Sequence, residues 1–235
     1  MLNIFDVGII LLLILFIILG IKKGVIKELV SLVGIIIVFI LSWSLKGIIG
    51  NFLCIILPFF KFTGIIEGMS SLNILLYQAI AFIIVFSLLM GLYGLSLKLS
   101  RVIQKIVNMT IILWLPSKLL GGVVSFIKGY LVLFIVFVFL MIPLGKFSVF
   151  NESKTINYML YETPVLSKYT NSFTEPIVNI FDLAEDVSKN KTSINDANVK
   201  AIGIILKYNI CDEKTINKLI ELNKLDNING IEKIL

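Results

Sequence analysis

The sequence predicts an all-α membrane protein with four transmembrane helices, an interfacial helix and a C-terminal amphipathic helical tail. Three observations favour this fold class. Of the 235 residues, 58% are hydrophobic, and the mean hydropathy is +1.01, whereas about half the residues of an average soluble domain are apolar. Apolar runs long enough to cross a bilayer recur along the chain. The third observation is that the charged residues are unevenly distributed between the first and the last part of the chain.

The charge distribution predicts two regions that meet after Gly145. Residues 1–145 hold ten Lys or Arg and three acids, a net charge of +7, while residues 146–235 hold eleven Lys and twelve acids, a net charge of −1. We therefore predict a transmembrane domain over residues 1–145 and a polar helical tail over residues 146–235. The basic excess belongs to the membrane region, where it sets orientation and attracts anionic lipid headgroups.

The first apolar run, Val7–Ile21, follows Asp6 and is followed at once by Lys22 and Lys23. A secretory signal has its positive charge before the apolar run and a cleavage site after it, so the polarity here is inverted. The run predicts a retained helix with its N-terminus outside.

The second and third spans differ in length. Leu29–Leu45 has 17 uncharged residues, near the lower limit for a span. The apolar character continues past Lys46 as Gly47–Leu57 and stops at Pro58, so this stretch either extends the helix or lies in the membrane interface. The third span, with its core at Leu72–Leu97, lies in a segment without charge and is long enough to cross with some tilt.

A short apolar segment precedes the fourth span. Ile106–Pro116 has eleven residues and includes Trp114. That length cannot cross a bilayer, and an aromatic beside basic residues favours an interfacial helix. The fourth span lies within Leu119–Gly145. Four spans place the basic turns Lys22–Lys27 and Lys98–Lys118 on one face, which the positive-inside rule makes cytoplasmic, so both termini are expected outside.

The polar tail shows apolar residues at helical spacing in three segments, starting at Ile177, Val199 and Ile216. Asp212 is a suitable N-cap for the last segment. Short amphipathic helices of this kind could form a small bundle, dock on the membrane or bind a partner. A loosely ordered appendage is an equal alternative.

Small residues repeat every four positions in the fourth span, at Gly121, Ser125 and Gly129. Such a helix face lets another backbone approach closely, which stabilises helix packing inside lipid. The favoured interpretation is packing within the chain, and the alternative is contact between subunits.

Four charges in or beside the spans are candidate functional residues: Asp6, Lys23, Glu28 and Lys128. Lys128 either snorkels, which would start the true span near Gly129 and make Pro116–Lys128 interfacial, or acts as a conduction or gating charge paired with Glu28 or Asp6. Lys23 and Lys128 share a small-x-x-Lys-Gly pattern, which is either a chance recurrence or the mark of one cytoplasmic interface. Glu28 opens the second span, where the helix macrodipole favours a carboxylate.

The residue inventory argues against several kinds of chemistry. The chain has no histidine, and its two cysteines, Cys54 and Cys211, are far apart in sequence and suit a packing role. Zinc and haem sites, Cys–His nucleophiles and Ser–His–Asp triads need imidazole or clustered thiolates. We therefore predict no catalytic, metal or cofactor site, and no enzyme. The tail has no basic stripe, so no nucleic-acid partner is expected.

Several of these residues carry a family resemblance. Phe5-Asp6-Val7, the turn from Gly20 to Leu29, and Leu119-Leu120-Gly121-Gly122 running to Phe126-Ile127-Lys128-Gly129 resemble the colicin V production protein family (CvpA) over about residues 1–145. The family usually has arginine where this chain has Lys23 and Lys128, and often an acid near Ser117. Lysine keeps the charge but loses bidentate geometry.

The resemblance implies a multi-pass protein of the bacterial plasma membrane that supports toxin (bacteriocin) biosynthesis or export and envelope physiology. It carries over no catalytic or cofactor residue. Assembly as a homo-oligomer or with export machinery is the expected mode of action. The alternative function is a small channel or transporter subunit in which Lys128 and Asp6 face a polar path.

Overall fold

A computed structural model of the chain describes residues 3–99, 114–144, 150, 152–164 and 166–234. The described residues form helices joined by short turns and contain no strand. The helices are α1 (Ile4–Lys23), α2 (Val25–Ile56), α3 (Leu72–Leu99), α4 (Trp114–Leu144), α5 (Lys154–Asn157), α6 (Leu166–Ser188), α7 (Ile194–Lys207) and α8 (Glu213–Glu221). A π-helical turn follows α5 at Tyr158–Glu162, and 3₁₀ turns occupy Gly64–Ile66 and Ile231–Lys233.

Within the described residues, four helices are long and apolar enough to cross a membrane, which confirms the predicted class. The candidate spans are Ile4–Lys23, Val25–Ile56, Leu72–Ser96 and Ser117–Val138. The apolar stretch after Lys46 extends α2, which is continuous over 32 residues. At about 1.5 Å per residue, α2 is longer than the roughly 30 Å of hydrocarbon in a bilayer.

The predicted interfacial helix falls mostly outside the described residues. Residues 106–113 of that segment are not described, and Trp114–Pro116 form the first turn of α4. The alternative interfacial segment Pro116–Lys128 is part of α4, which runs without a break through Lys128.

The chain divides into two compact units, each built from separate stretches of sequence. One unit comprises Met1–Leu41 and Phe86–Thr170, and the other comprises Ser42–Val85 and Asn171–Leu235. This grouping by contacts differs from the division after Gly145, which rests on composition and stays a prediction.

The first unit is held together by α1 packed on α4. Beyond α4, Phe150 lies edge-on to Phe5 and Phe137, with ring centroids 5.9 and 6.3 Å away. Asp6 forms a capping box with Asn3 at the start of α1, and its carboxylate also accepts hydrogen bonds from Ser153 Oγ (2.6 Å) and Thr155 N (2.9 Å). The segment after α4 therefore lies beside the N-terminus of α1.

The second unit contains the tail helices and a shared hydrophobic core. Ile180, Ala184, Ile202, Ile205 and Ile216 are buried together with Met69 from the connection between α2 and α3 and with Ile74 and Tyr77 from the start of α3. The small bundle predicted as one alternative is therefore present, and the loosely ordered appendage is wrong. The amphipathic spacing placed these apolar residues on helix faces that can be buried together.

Local signals in the tail sequence explain where its helices begin and end. Asp212 caps α8 by accepting a hydrogen bond from Thr215 N at 2.6 Å, as predicted. Each of α6, α7 and α8 is followed by an asparagine with positive φ: Asn190, Asn209 and Asn223. Asparagine tolerates this left-handed conformation, which closes a helix C-terminus. The backbone bonds Ile210 N to Ile205 O and Lys224 N to Leu219 O complete the closure of α7 and α8.

Buried polar contacts join the tail to the ends of α2 and α3. Asn198 is fully buried, accepts a hydrogen bond from Ser71 Oγ (2.9 Å) and donates to Gly68 O (2.9 Å). Lys224 Nζ donates to the carbonyl oxygens of Cys54 and Leu57, each at 2.9 Å, and to that of Ile55. The part of the tail in this unit therefore packs where α2 ends and α3 begins.

Candidate functional site

The turn between α1 and α2 begins the candidate site. Gly24 has φ +82°, a conformation that favours glycine, and its N–H donates to Gly20 O at 2.9 Å. Its carbonyl accepts from Glu28 N at 3.2 Å. Lys22, Lys23 and Lys27 are exposed around this turn, while Glu28 is fully buried in the first turn of α2. A carboxylate at that position is stabilised by the unpaired N–H groups of the helix start.

Lys128 of α4 forms a buried ion pair with Glu28. Lys128 Nζ donates to Glu28 Oε2 and lies 3.4 Å from Ser31 Oγ. The side chains of Lys128 and Glu28 are 7% and 0% exposed. Snorkelling does not describe this geometry, because the ammonium group ends against a carboxylate inside the unit. Of the two partners considered for Lys128, the structure places Glu28 beside it.

Glu28 also faces a second lysine at the edge of the site. Lys23 Nζ lies 3.5 Å from Glu28 Oε1, and the Lys23 side chain is 54% exposed. Among the described residues, Glu28 Oε1 has this ion-pair contact but no hydrogen bond. One carboxylate therefore connects a buried lysine to one that reaches the surface, and two positive charges face one negative charge.

The small-residue face of α4 is covered by α1. A Cβ on Gly20 would lie 2.3 Å from Ser125 Cβ and 2.4 Å from Gly121 O, and a Cβ on Gly129 would lie 2.6 Å from the Phe16 ring. Only glycine permits helices to approach this closely. The face made by Gly121, Ser125 and Gly129 is therefore used within the chain, which leaves it unavailable for the alternative of subunit contact.

Ser125 adds a polar group to this seam. Its side chain is buried, and its Oγ has no hydrogen-bond partner among the described residues. Tyr93 of α3 contacts α2 nearby: its hydroxyl donates to Val30 O at 3.0 Å, and its ring occupies the space beside Gly34. Ser31 and Tyr93 were not among the residues predicted from the sequence, although polar side chains in apolar spans are a signal for such contacts.

Asp6 does not join the Glu28–Lys128 pair. It lies in the first turn of α1, and its carboxylate contacts Asn3, Ser153 and Thr155. Lys128 lies next to Gly129, and Gly129 packs against Phe16, which is further along α1 than Asp6. The two charges proposed to share a polar path therefore lie in different parts of the unit.

The arrangement can hold charge inside a membrane domain. Separating a carboxylate from its lysine in such surroundings leaves an uncompensated buried charge, which costs about 3–5 kcal/mol. Among the described residues, no group of three His, Cys, Asp or Glu side chains could hold a metal ion. Glu28, Lys128, Lys23 and Ser31 provide ion pairing and hydrogen bonding at this site.

Comparison with known proteins identifies a family. A family model described as "Colicin V production protein" matches residues 5–164. That range includes α1 to α5, the Glu28–Lys128 pair and the Ser153 contact to Asp6. No curated protein and no solved structure matches the chain.

Proposed function

Because the chain belongs to the colicin V production protein family, we propose that it supports the biosynthesis or export of a protein toxin (bacteriocin), and envelope physiology, from the bacterial plasma membrane. The match over residues 5–164 carries this proposal. It covers more than the apolar spans, since it includes the polar turn at Lys22–Glu28 and the segment that binds Asp6. In this proposal the chain is not an enzyme and acts through the assembly of its helices in the membrane.

Toxin output tests the proposed function directly. Deleting the gene from the producing organism should lower the toxin activity released into the medium, and the intact chain supplied in trans should restore it. Toxin transcript and intracellular toxin separate the two steps: unchanged transcript with retained toxin indicates export, while low total toxin indicates biosynthesis. Normal release without the chain would overturn the proposal.

The proposed mode of action is assembly with other membrane components. The basic turn at Lys22–Lys27 is exposed and suits anionic headgroups on the cytoplasmic face. Of the second basic turn, Lys98–Lys118, residues 100–113 lie outside the described part of the chain. Since the small-residue face of α4 is covered by α1, a homo-oligomer or a contact with export machinery would use other surfaces. Cross-linking in native membranes followed by mass measurement would identify either partner, and a solely monomeric chain would contradict both.

The buried pair favours a second candidate function, that of a small channel or transporter subunit. Ionisable residues within spans commonly mark ion pathways or proton relays, and Glu28 links buried Lys128 to half-exposed Lys23. In this second candidate function Glu28 and Lys128 are the charges that take part in transport, and Asp6 holds the segment after α4 in place.

Flux measurements distinguish the two candidates. Lys128→Leu alone leaves Glu28 unpaired, so the matched control is the double variant Glu28→Gln/Lys128→Leu, which removes both charges. If the pair serves transport, both variants should lose flux in reconstituted vesicles while the double variant keeps its stability. If the pair is structural, the double variant should conduct like the original chain, and this result would reject the transport function.

A further inference from the structure

A groove of about 1060 Å³ lies in the unit that contains the tail. Its floor is the later part of α2, including Gly47, Ile48 and Asn51, and its wall is α8 with the residues just before it. A Cβ on Gly47 would meet no atom within 4 Å. The floor at Gly47 is therefore open, and the groove can accept a ligand without displacing a side chain there.

The two sides of the groove differ in polarity, and this locates it relative to a bilayer. On α2, Ile48 lines the groove and is 69% exposed, and Phe52, one turn further along the helix, is 58% exposed. Both belong to an apolar helix that suits hydrocarbon. On α8, the residues lining the groove are charged or polar. Such a junction between an apolar helix and a polar one is stable where hydrocarbon gives way to headgroups.

The charges on α8 form two neighbouring rows. Glu213, Asn217 and Glu221 follow one another at i+4 spacing, and Lys214 and Lys218 follow at the same spacing beside them. Lys218 Nζ also lies 2.7 Å from Glu221 Oε2. On the wall, the carboxylate of Glu213 can therefore accept hydrogen bonds from a cation, and the neighbouring Lys214 can donate hydrogen bonds to an anion.

Fixed polar contacts hold α8 in place along the groove. Asp212 Oδ2 accepts a hydrogen bond from Asn51 Nδ2 at 2.7 Å, and Asn51 Oδ1 accepts one from Gln78 Nε2 at 2.8 Å. Gln78 is buried in α3, and its Oε1 has no partner among the described residues. The first turn of α8, which carries Glu213 and Lys214, is thus tied through α2 to α3.

We propose that this groove binds a phospholipid with a primary-amine headgroup, of the phosphatidylethanolamine type. Glu213 accepts hydrogen bonds from the ammonium group, Lys214 donates to the phosphate, and the acyl chains lie along the exposed face of α2 at Ile48 and Phe52. The two charge rows match the adjacent cation and anion of this headgroup. The inference does not depend on the proposed function.

Lipid binding to the purified full chain in mild detergent tests this proposal. Native mass spectrometry would compare phosphatidylethanolamine, phosphatidylcholine and phosphatidylglycerol with identical acyl chains. Phosphatidylcholine has the same phosphate, but its quaternary ammonium cannot donate hydrogen bonds, and phosphatidylglycerol has no cation. Phosphatidylethanolamine should bind about tenfold more tightly than either, the size expected from one charge-assisted hydrogen bond. Equal binding of the three lipids would overturn headgroup recognition.

Variants locate the site. Gly47→Phe should fill the groove from a position where an added Cβ meets no atom within 4 Å. Gly91→Phe is the matched control, because a Cβ on Gly91 of α3 also meets no atom within 4 Å and Gly91 does not line the groove. Glu213→Gln should abolish the preference for the amine headgroup and leave total lipid binding nearly unchanged. If Gly47→Phe binds phosphatidylethanolamine as tightly as Gly91→Phe does, or if Glu213→Gln keeps the preference, the proposed site is wrong.

Discussion

Replacing Gly20 with alanine tests the close contact between α1 and α4. The new Cβ would lie 2.4 Å from Gly121 O and 2.3 Å from Ser125 Cβ, so α1 and α4 must separate by about 1 Å to reach ordinary contact distance at 3.4 Å. Overpacking of this kind costs typically about 1–3 kcal/mol. The separation also weakens dispersion contacts along the seam, since a gap of that size forfeits a quarter to a half of each contact energy.

Helix propensity partly offsets this loss. Alanine is better than glycine inside a helix by about 1 kcal/mol, so we expect Gly20→Ala to lower the free energy of unfolding by up to about 2 kcal/mol. Gly8→Ala in the same helix is the matched control, because a Cβ there meets no atom within 4 Å. It should raise stability by up to about 1 kcal/mol. The two variants share this gain, so their stabilities should differ by the overpacking cost of about 1–3 kcal/mol.

The assay is reversible unfolding of the full chain in mixed micelles, followed by circular dichroism. The comparison within one helix removes differences in detergent binding and in the unfolded state. If Gly20→Ala were as stable as Gly8→Ala, then α1 and α4 would not pack at the distance described, and α1 would not cover the small-residue face.

Two further predictions concern the tail. Lys224→Gln removes charge-assisted hydrogen bonds to the C-terminal carbonyls of α2, so a denaturant titration should show the free energy of unfolding lowered by about 1.5–3 kcal/mol. The control Lys191→Gln, at a side chain that is 63% exposed, should change the free energy of unfolding by less than about 0.5 kcal/mol. Equal effects of the two variants would contradict the role of Lys224 in capping α2. Burial raises the pKa of Cys211 from 9.0 to about 12, so its contribution to stability is present below pH 9 and is lost as the pH rises from 9 towards 12. The difference in stability between the original chain and Cys211→Ala should therefore shrink over that range, and a constant difference would contradict the shift.

Hydrophobic pattern was sufficient to predict the helices. The uncharged runs Leu72–Leu97 and Val7–Ile21 lie within α3 and α1, because apolar length decides which segments suit hydrocarbon. The sequence did not decide whether the helix continues after Lys46, because a single lysine can either end a span or be accommodated within a longer helix. In the structure Lys46 Nζ lies 3.6 Å from the Trp43 ring centroid, and this cation–π contact accommodates the charge while α2 continues.

Side-chain partners were harder to predict. Lys128 and Glu28 are 100 residues apart, and the sequence offered Asp6 equally as a partner, because pairing depends on how α1, α2 and α4 pack rather than on spacing. The contacts of Asn198 and Lys224 also join distant parts of the chain. By contrast, the cap at Asp212 was predictable because an N-cap acts within its own helix turn.

Four spans place the turn between α1 and α2 on one side of the membrane and the tail on the other. Paired cysteine substitutions measure these two positions directly. Cys54 and Cys211 are buried in the fold, so they react slowly and form a suitable background. Lys22→Cys places a thiol at the exposed turn between α1 and α2, and Lys200→Cys places one on the exposed face of α7. In spheroplasts, a membrane-impermeant maleimide should label Lys200→Cys at once and Lys22→Cys only after permeabilisation. Labelling of both from one side would contradict the four-span arrangement, and labelling of Lys22→Cys alone would reverse its orientation.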